Sequence, residues 1–227
     1  MHTSGSPADP GFFDAHQRAT IAAAMARIIP TDDAPGAAEA GTIDFLDRYL
    51  SGITSIFARP DGSGFEVLEG KQAAAWTGRI TALRETYVAG IADLDRMSQS
   101  LFGAPFIRLA PGDQDRVLAE LERPVVREEA AFAAEAAVAA SEPGLQQMVA
   151  EADLPFFPLL VLHTRQGFYS DPIYGGNRDH AGWRAIAFPG PASLAETHAG
   201  RYSTLPYFAP NVAVTGEEAA SAGEAEA

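Results

Sequence analysis

The side chains best suited to metal or acid–base chemistry crowd into one short stretch: His163, Asp171, Asp179 and His180. Brought together, two imidazoles and a carboxylate would hold a metal ion. Their spacing matches neither H-x-x-x-H nor H-E-x-x-H, and a helix–loop junction separates His163 from Asp171. Asp171, standing before Pro172, has the simpler role of opening a turn. Nucleophilic chemistry finds no better footing. Ser170 and Ser193 lie outside any G-x-S-x-G elbow, and the absence of cysteine removes thiolates, disulfides and iron–sulfur ligation together. Gly62-Ser63-Gly64 and Gly175-Gly176 do not form a dinucleotide or P-loop fingerprint, so no cofactor is expected in this chain. The carboxylate pairs Asp32-Asp33 and Glu128-Glu129 read as solvated surface, the first within a helix-flanking turn.

The elements that must carry these residues are helical. With 227 residues, 47% of them apolar and 20% charged, the chain is long enough for one full-sized domain. Sixteen Lys and Arg against thirty Asp and Glu give a net charge of −14, which repels nucleic acid and anionic membrane surfaces. No apolar run approaches the ~20 residues of a spanning helix. Asp14 reads as the N-cap of a helix whose apolar face is Ile21, Met25, Ile28 and Ile29 and which stops before Pro30. A second helix runs from Thr42 to about Leu50, with Gly52 at its end. The strongest periodicity is Trp76, Ile80, Leu83, Tyr87, Ile91, Leu94 and Met97, a core-facing stripe about seven turns long. Pro111 opens a shorter helix containing Val117, Leu118 and Leu121 and ended at Arg123–Pro124, an Ala-rich helix follows over Val125–Ala140, and Phe156–Phe168 forms a strongly apolar one. The fold class is therefore all-α: a helical bundle of about six to seven helices with an irregular aromatic-rich C-terminal arm. Its divisions are a flexible N-terminus (1–11), a helical domain (12–168), the arm (169–210) and an acidic disordered tail (211–227).

The arm is dense in Gly, Pro and aromatics, including Tyr174, Trp183, Phe188, Tyr202, Tyr207 and Phe208. Irregular segments of this length are usually functional, and Tyr and Trp are favoured at protein interfaces. The alternative is that the arm simply wraps its own helices. Within it stands Gly167-Phe168-Tyr169-Ser170-Asp171-Pro172-Ile173-Tyr174-Gly175-Gly176-Asn177-Arg178-Asp179, followed by Gly182-Trp183 and Phe188-Pro189-Gly190. This resembles the signature of the gluconate 2-dehydrogenase subunit 3 family. Ile28-Ile29-Pro30-Thr31-Asp32-Asp33, Pro35-Gly36, Ala40-Gly41 and Asp44-Phe45-Leu46-Asp47-Arg48 are similar to that family's opening block.

The resemblance implies a non-catalytic small subunit that binds and stabilises a glucose–methanol–choline-type large subunit, assisting its folding and FAD loading. The FAD belongs to that partner. Such complexes oxidise a sugar, sugar acid or glycoside, and many add a cytochrome c subunit. The residues it points to as partner-interface are Phe168, Tyr169, Tyr174, Gly175, Gly176, Asn177, Arg178, Trp183 and Phe188. Tyr174 and Trp183 would fill partner pockets, Arg178 would meet a partner carboxylate, the glycines would allow positive φ and close approach, and Asn177 would hold the turn. Many family members carry a twin-arginine leader, and none stands in Met1–Gly11. The chain as it stands is thus expected in the cytoplasm, or in the periplasm if a leader was removed. Two other readings stay open: a metal-dependent enzyme using His163, Asp171 and His180, and a freestanding helical protein that homo-oligomerises through its arm.

Overall fold

Asp14 starts the first helix with a reciprocal cap. Its side chain accepts from the Gln17 N–H at 2.8 Å, while the Gln17 side chain accepts from the Asp14 N–H at 3.1 Å. Helix α1 then runs Ala15–Ile28 and stops two residues ahead of Pro30. In this computed structural model, residues 11–52, 57–59, 65–123, 151–191 and 196 are described. A turn pinned by Asp32 and Glu39 leads to α2, Thr42–Leu50. Gly52, at φ 78°, takes the left-handed conformation that ends it.

A two-residue antiparallel pair, β1 (Phe57–Ala58) with β2 (Phe65–Glu66), precedes the longest helix. Helix α3 spans Gly70–Phe102, about 50 Å at 1.5 Å per residue. The stripe read from the sequence is its buried face: Trp76, Ile80, Leu83, Tyr87, Ile91 and Leu94 are all buried, with Met97 packed at the margin. After a 3-10 turn at Phe106–Arg108, residues 111–123 form α4. Gln114 of α4 donates to the buried Phe106 carbonyl at 3.1 Å. The helix expected over Val125–Ala140 lies outside the described residues, as do the acidic tail and most of the arm beyond Pro191.

Helix α5, Phe156–Tyr169, is the apolar helix of the sequence, and it sits centrally against α1, α2 and α3. Its approach to α3 depends on Gly90, because a Cβ there would strike the Phe156 ring. One core joins Ile21 and Met25 of α1, Leu46 and Leu50 of α2, the α3 stripe, Val117 of α4, and Leu159 and Leu160 of α5. A second, smaller cluster of Ala40, Phe168 and Ala181 lies where the chain leaves α5 for the short helix α6, Ala181–Ala185. The fold is all-α apart from the small strand pair. Among the described residues, no helix is long and apolar enough to cross a membrane.

Candidate partner-binding arm

Beyond Tyr169 the chain cannot continue as a helix and folds back in single turns. Asp171 accepts from the Ile173 N–H at 2.9 Å and opens a 3-10 turn at Pro172–Tyr174. Gly175 follows at φ 107°, a conformation costly for any residue with a side chain. Gly176 then lies directly on α5, where a Cβ would run into the Gly167 carbonyl oxygen.

Asn177 is the clamp of the arm. Fully buried, it donates from Nδ2 to the Ser170 carbonyl at 2.7 Å and accepts at Oδ1 from the Gly182 N–H at 2.8 Å. Both ends of the loop are thereby tied to one side chain. The backbone it holds is strained: Asn177, Asp179 and His180 have φ of 49°, 54° and 56°, and Ala187 has 53°. Each such residue costs on the order of 1 kcal/mol or more, least for Asn and Asp.

The signature residues divide into two groups. Phe168, Gly176, Asn177 and Trp183 face inward. The Trp183 indole N–H donates to the Tyr169 carbonyl at 2.8 Å, and the ring packs edge-on to Phe188. Trp183 therefore fills a pocket of its own chain, contrary to the expectation that it anchors in a partner. Arg178 likewise finds its carboxylate at home, 2.8 Å away on Asp44, while its N–H donates to the Ala40 carbonyl. Asp44 also pairs with Arg18, which reaches Asp47 at 2.8 Å, so the network joins α1, α2 and the arm. Tyr174 is half-buried, edge-on to Phe65, and Gly175 and Phe188 are half-buried too. Tyr169 is exposed.

The family model for gluconate 2-dehydrogenase subunit 3 matches residues 15–190, from the first turn of α1 to Gly190 in this arm. The chain belongs to the gluconate 2-dehydrogenase subunit 3 family. No curated protein and no solved structure matches it. The match makes this subunit 3 chain an accessory component of a multi-subunit dehydrogenase.

The metal reading does not survive the geometry of this subunit 3 fold. His163 is sealed in the core, Asp171 caps its turn and His180 lies exposed against Trp183. Among the described residues, no group of three such side chains could hold an ion. His163 instead centres a buried polar chain. The Tyr87 hydroxyl lies 2.8 Å from its Nδ1, and Glu151 contacts its Nε2. Arg79 pairs with the same carboxylate, and the Tyr49 hydroxyl donates to it at 3.3 Å. Ionised Glu151 only accepts, so Nε2 carries the proton and Nδ1 accepts from Tyr87. Burial, helped by the charge of Arg79, pushes the His163 pKa down to about 3, so the imidazole is neutral at physiological pH. Burial raises the Tyr87 phenol well above its usual range. Neither group titrates near neutrality.

Sequence reasoning singled out His163 but neither Tyr87 nor Glu151 as its partner. Tyr87 stands in an unbroken apolar stripe, and Glu151 is 12 residues from His163 in an unpatterned stretch. Nothing in the linear pattern links three such positions.

Proposed function

We propose that this accessory subunit binds a glucose–methanol–choline-type, FAD-containing large subunit and keeps it folded and flavin-loaded. The large subunit, not this chain, oxidises the sugar, sugar acid or glycoside, and a cytochrome c subunit takes the electrons onward. The observation that carries the reading is the family match, which runs through the whole strained arm to residue 190. Strained backbone clusters at functional sites, and the only described histidine buried in the core is locked neutral in a closed hydrogen-bond chain. Both features suit a subunit that offers a fixed shape.

Co-expression with a flavoprotein large subunit of this class tests the proposal. The expected product is a yellow heterodimer with one FAD per large subunit, while the large subunit made alone is aggregated or flavin-poor. An obligate interface of this kind makes each chain's stability depend on the other. A large subunit that is soluble, loaded and fully active without this chain overturns the reading. So does sugar oxidation by this chain alone.

A further inference from the structure

Once the inward-facing signature residues are set aside, the arm has a distinct outer surface. The last turns of α5 expose Arg165 and Tyr169, four residues apart and so neighbours on one face. Helix α6 and the residue after it expose Arg184 and Ile186. Tyr169 and Ile186 are 39% and 44% exposed. Of the six exposed large apolar side chains among the described residues, only these two lie on the segment braced by Asn177 and Trp183.

The charge of this surface runs against that of the protein. The chain carries thirty acids to sixteen bases, yet residues 154–191 hold three arginines against two aspartates. Arg178 is matched by Asp44 and Asp171 is occupied in its cap, which leaves Arg165 and Arg184 against the single exposed carboxylate of Asp179. Arg165 makes no hydrogen bond or ion pair with another described residue, and Arg184 donates only to the Asp179 carbonyl. Two exposed guanidiniums thus lack a carboxylate among the described residues, in a chain with nearly two acids per base. A second copy, itself at −14, is repelled as a partner.

Resting on the function proposed above, we infer that Arg165, Tyr169, Arg184 and Ile186 form the surface that docks onto an apolar patch with an acidic rim on the large dehydrogenase subunit. Aromatic and arginine side chains are those enriched in such contacts. The backbone beneath is already fixed, because Trp183 holds the Tyr169 carbonyl, so docking loses little conformational freedom. The inward signature residues build the platform, and these four meet the partner.

The test uses the purified FAD-loaded heterodimer, with dissociation on dilution followed by mass photometry. Arg165→Glu breaks no contact among the described residues. Combined with Arg184→Glu, it should weaken the complex about tenfold at low salt, an effect that shrinks as salt rises. Arg96→Glu with Arg116→Glu, the same charge change on α3 and α4, should leave affinity within about twofold. Tyr169→Ala should weaken binding at all salt concentrations. The thermal midpoint of each free variant checks that the arm is intact. Equal weakening by both double variants overturns the surface, as does no loss from Arg165→Glu together with Tyr169→Ala. Altered self-association of the free chain would overturn it in favour of a second copy. If the wild-type chain binds no large subunit, the function reading itself fails and the surface falls with it.

Discussion

Replacing Asn177 with Ala should cost this protein about as much as truncating a large core side chain. The change orphans the buried Gly182 N–H, at about 1–3 kcal/mol. It also removes the 2.7 Å bond to the half-buried Ser170 carbonyl, worth about 1 kcal/mol. Ala at φ 49° adds roughly another 1 kcal/mol, since a methyl tolerates the left-handed region less well than an Asn side chain. The sum is about 4 kcal/mol, a large part of the ~5–15 kcal/mol that typically holds a domain together. Denaturant unfolding should read that loss, with a thermal midpoint lower by roughly 8–16 °C. Hydrogen exchange should show lost protection over residues 170–185 before the core opens. Asn177→Gly separates the terms. It loses the same two bonds but relieves the backbone, so it should recover about 1 kcal/mol relative to Ala. If Asn177→Ala falls within about 1 kcal/mol of wild type, or Asn177→Gly is no better than Ala, the clamp argument is wrong.

Other outcomes follow from the buried polar chain and from helix packing. Because the His163 pKa drops from 6.5 to about 3 on folding, the unfolded chain takes up a proton that the folded one refuses across that interval. Stability should therefore fall as pH drops from about 6.5 towards 3, by up to ~1.4 kcal/mol per pH unit. Unfolding titrations of His163→Gln should lack this component of the slope. Arg79→Ala strips a buried carboxylate of its cation and should cost about 2 kcal/mol at neutral pH, the exposed side of the pair limiting the loss. Losing the Arg79 charge also lets the imidazole protonate more easily, so the acid slope attributable to His163 should flatten in the same titration. Gly90→Ala improves helix propensity, yet the new methyl meets the Phe156 ring. A net loss of about 1–3 kcal/mol in denaturant unfolding is expected.

The helical frame was legible because its signals are local and periodic. Asp14 capped α1 as its type predicts, Thr42–Leu50 matched residue for residue, and the α3 stripe turned to the core. Gly175 and Asn177 took the roles their types suggested, since positive φ and short-range side-chain bonds depend on near neighbours. Partnerships across the chain were not legible. Arg178 finds Asp44 at a separation of 134 residues, and Tyr87 finds His163 at 76. Linear spacing carries no trace of either. Trp183 misled for a related reason: an aromatic in an irregular segment suits an interface and a private pocket equally well. Only the packing of α6 on α5 decides between them. The β1–β2 pair leaves no mark in the sequence because two-residue strands lack room for an alternating pattern.

The reach of the Arg178–Asp44 contact bears on when this subunit becomes useful during its own synthesis. A ribosome adding roughly 5–20 residues per second needs on the order of ten seconds to travel from one residue to the other. Until then Asp44 has only Arg18, and the loop around Asn177 does not yet exist. However well the early helices have collapsed, the folded-back loop is therefore closed only after Gly182 and Trp183 have been made.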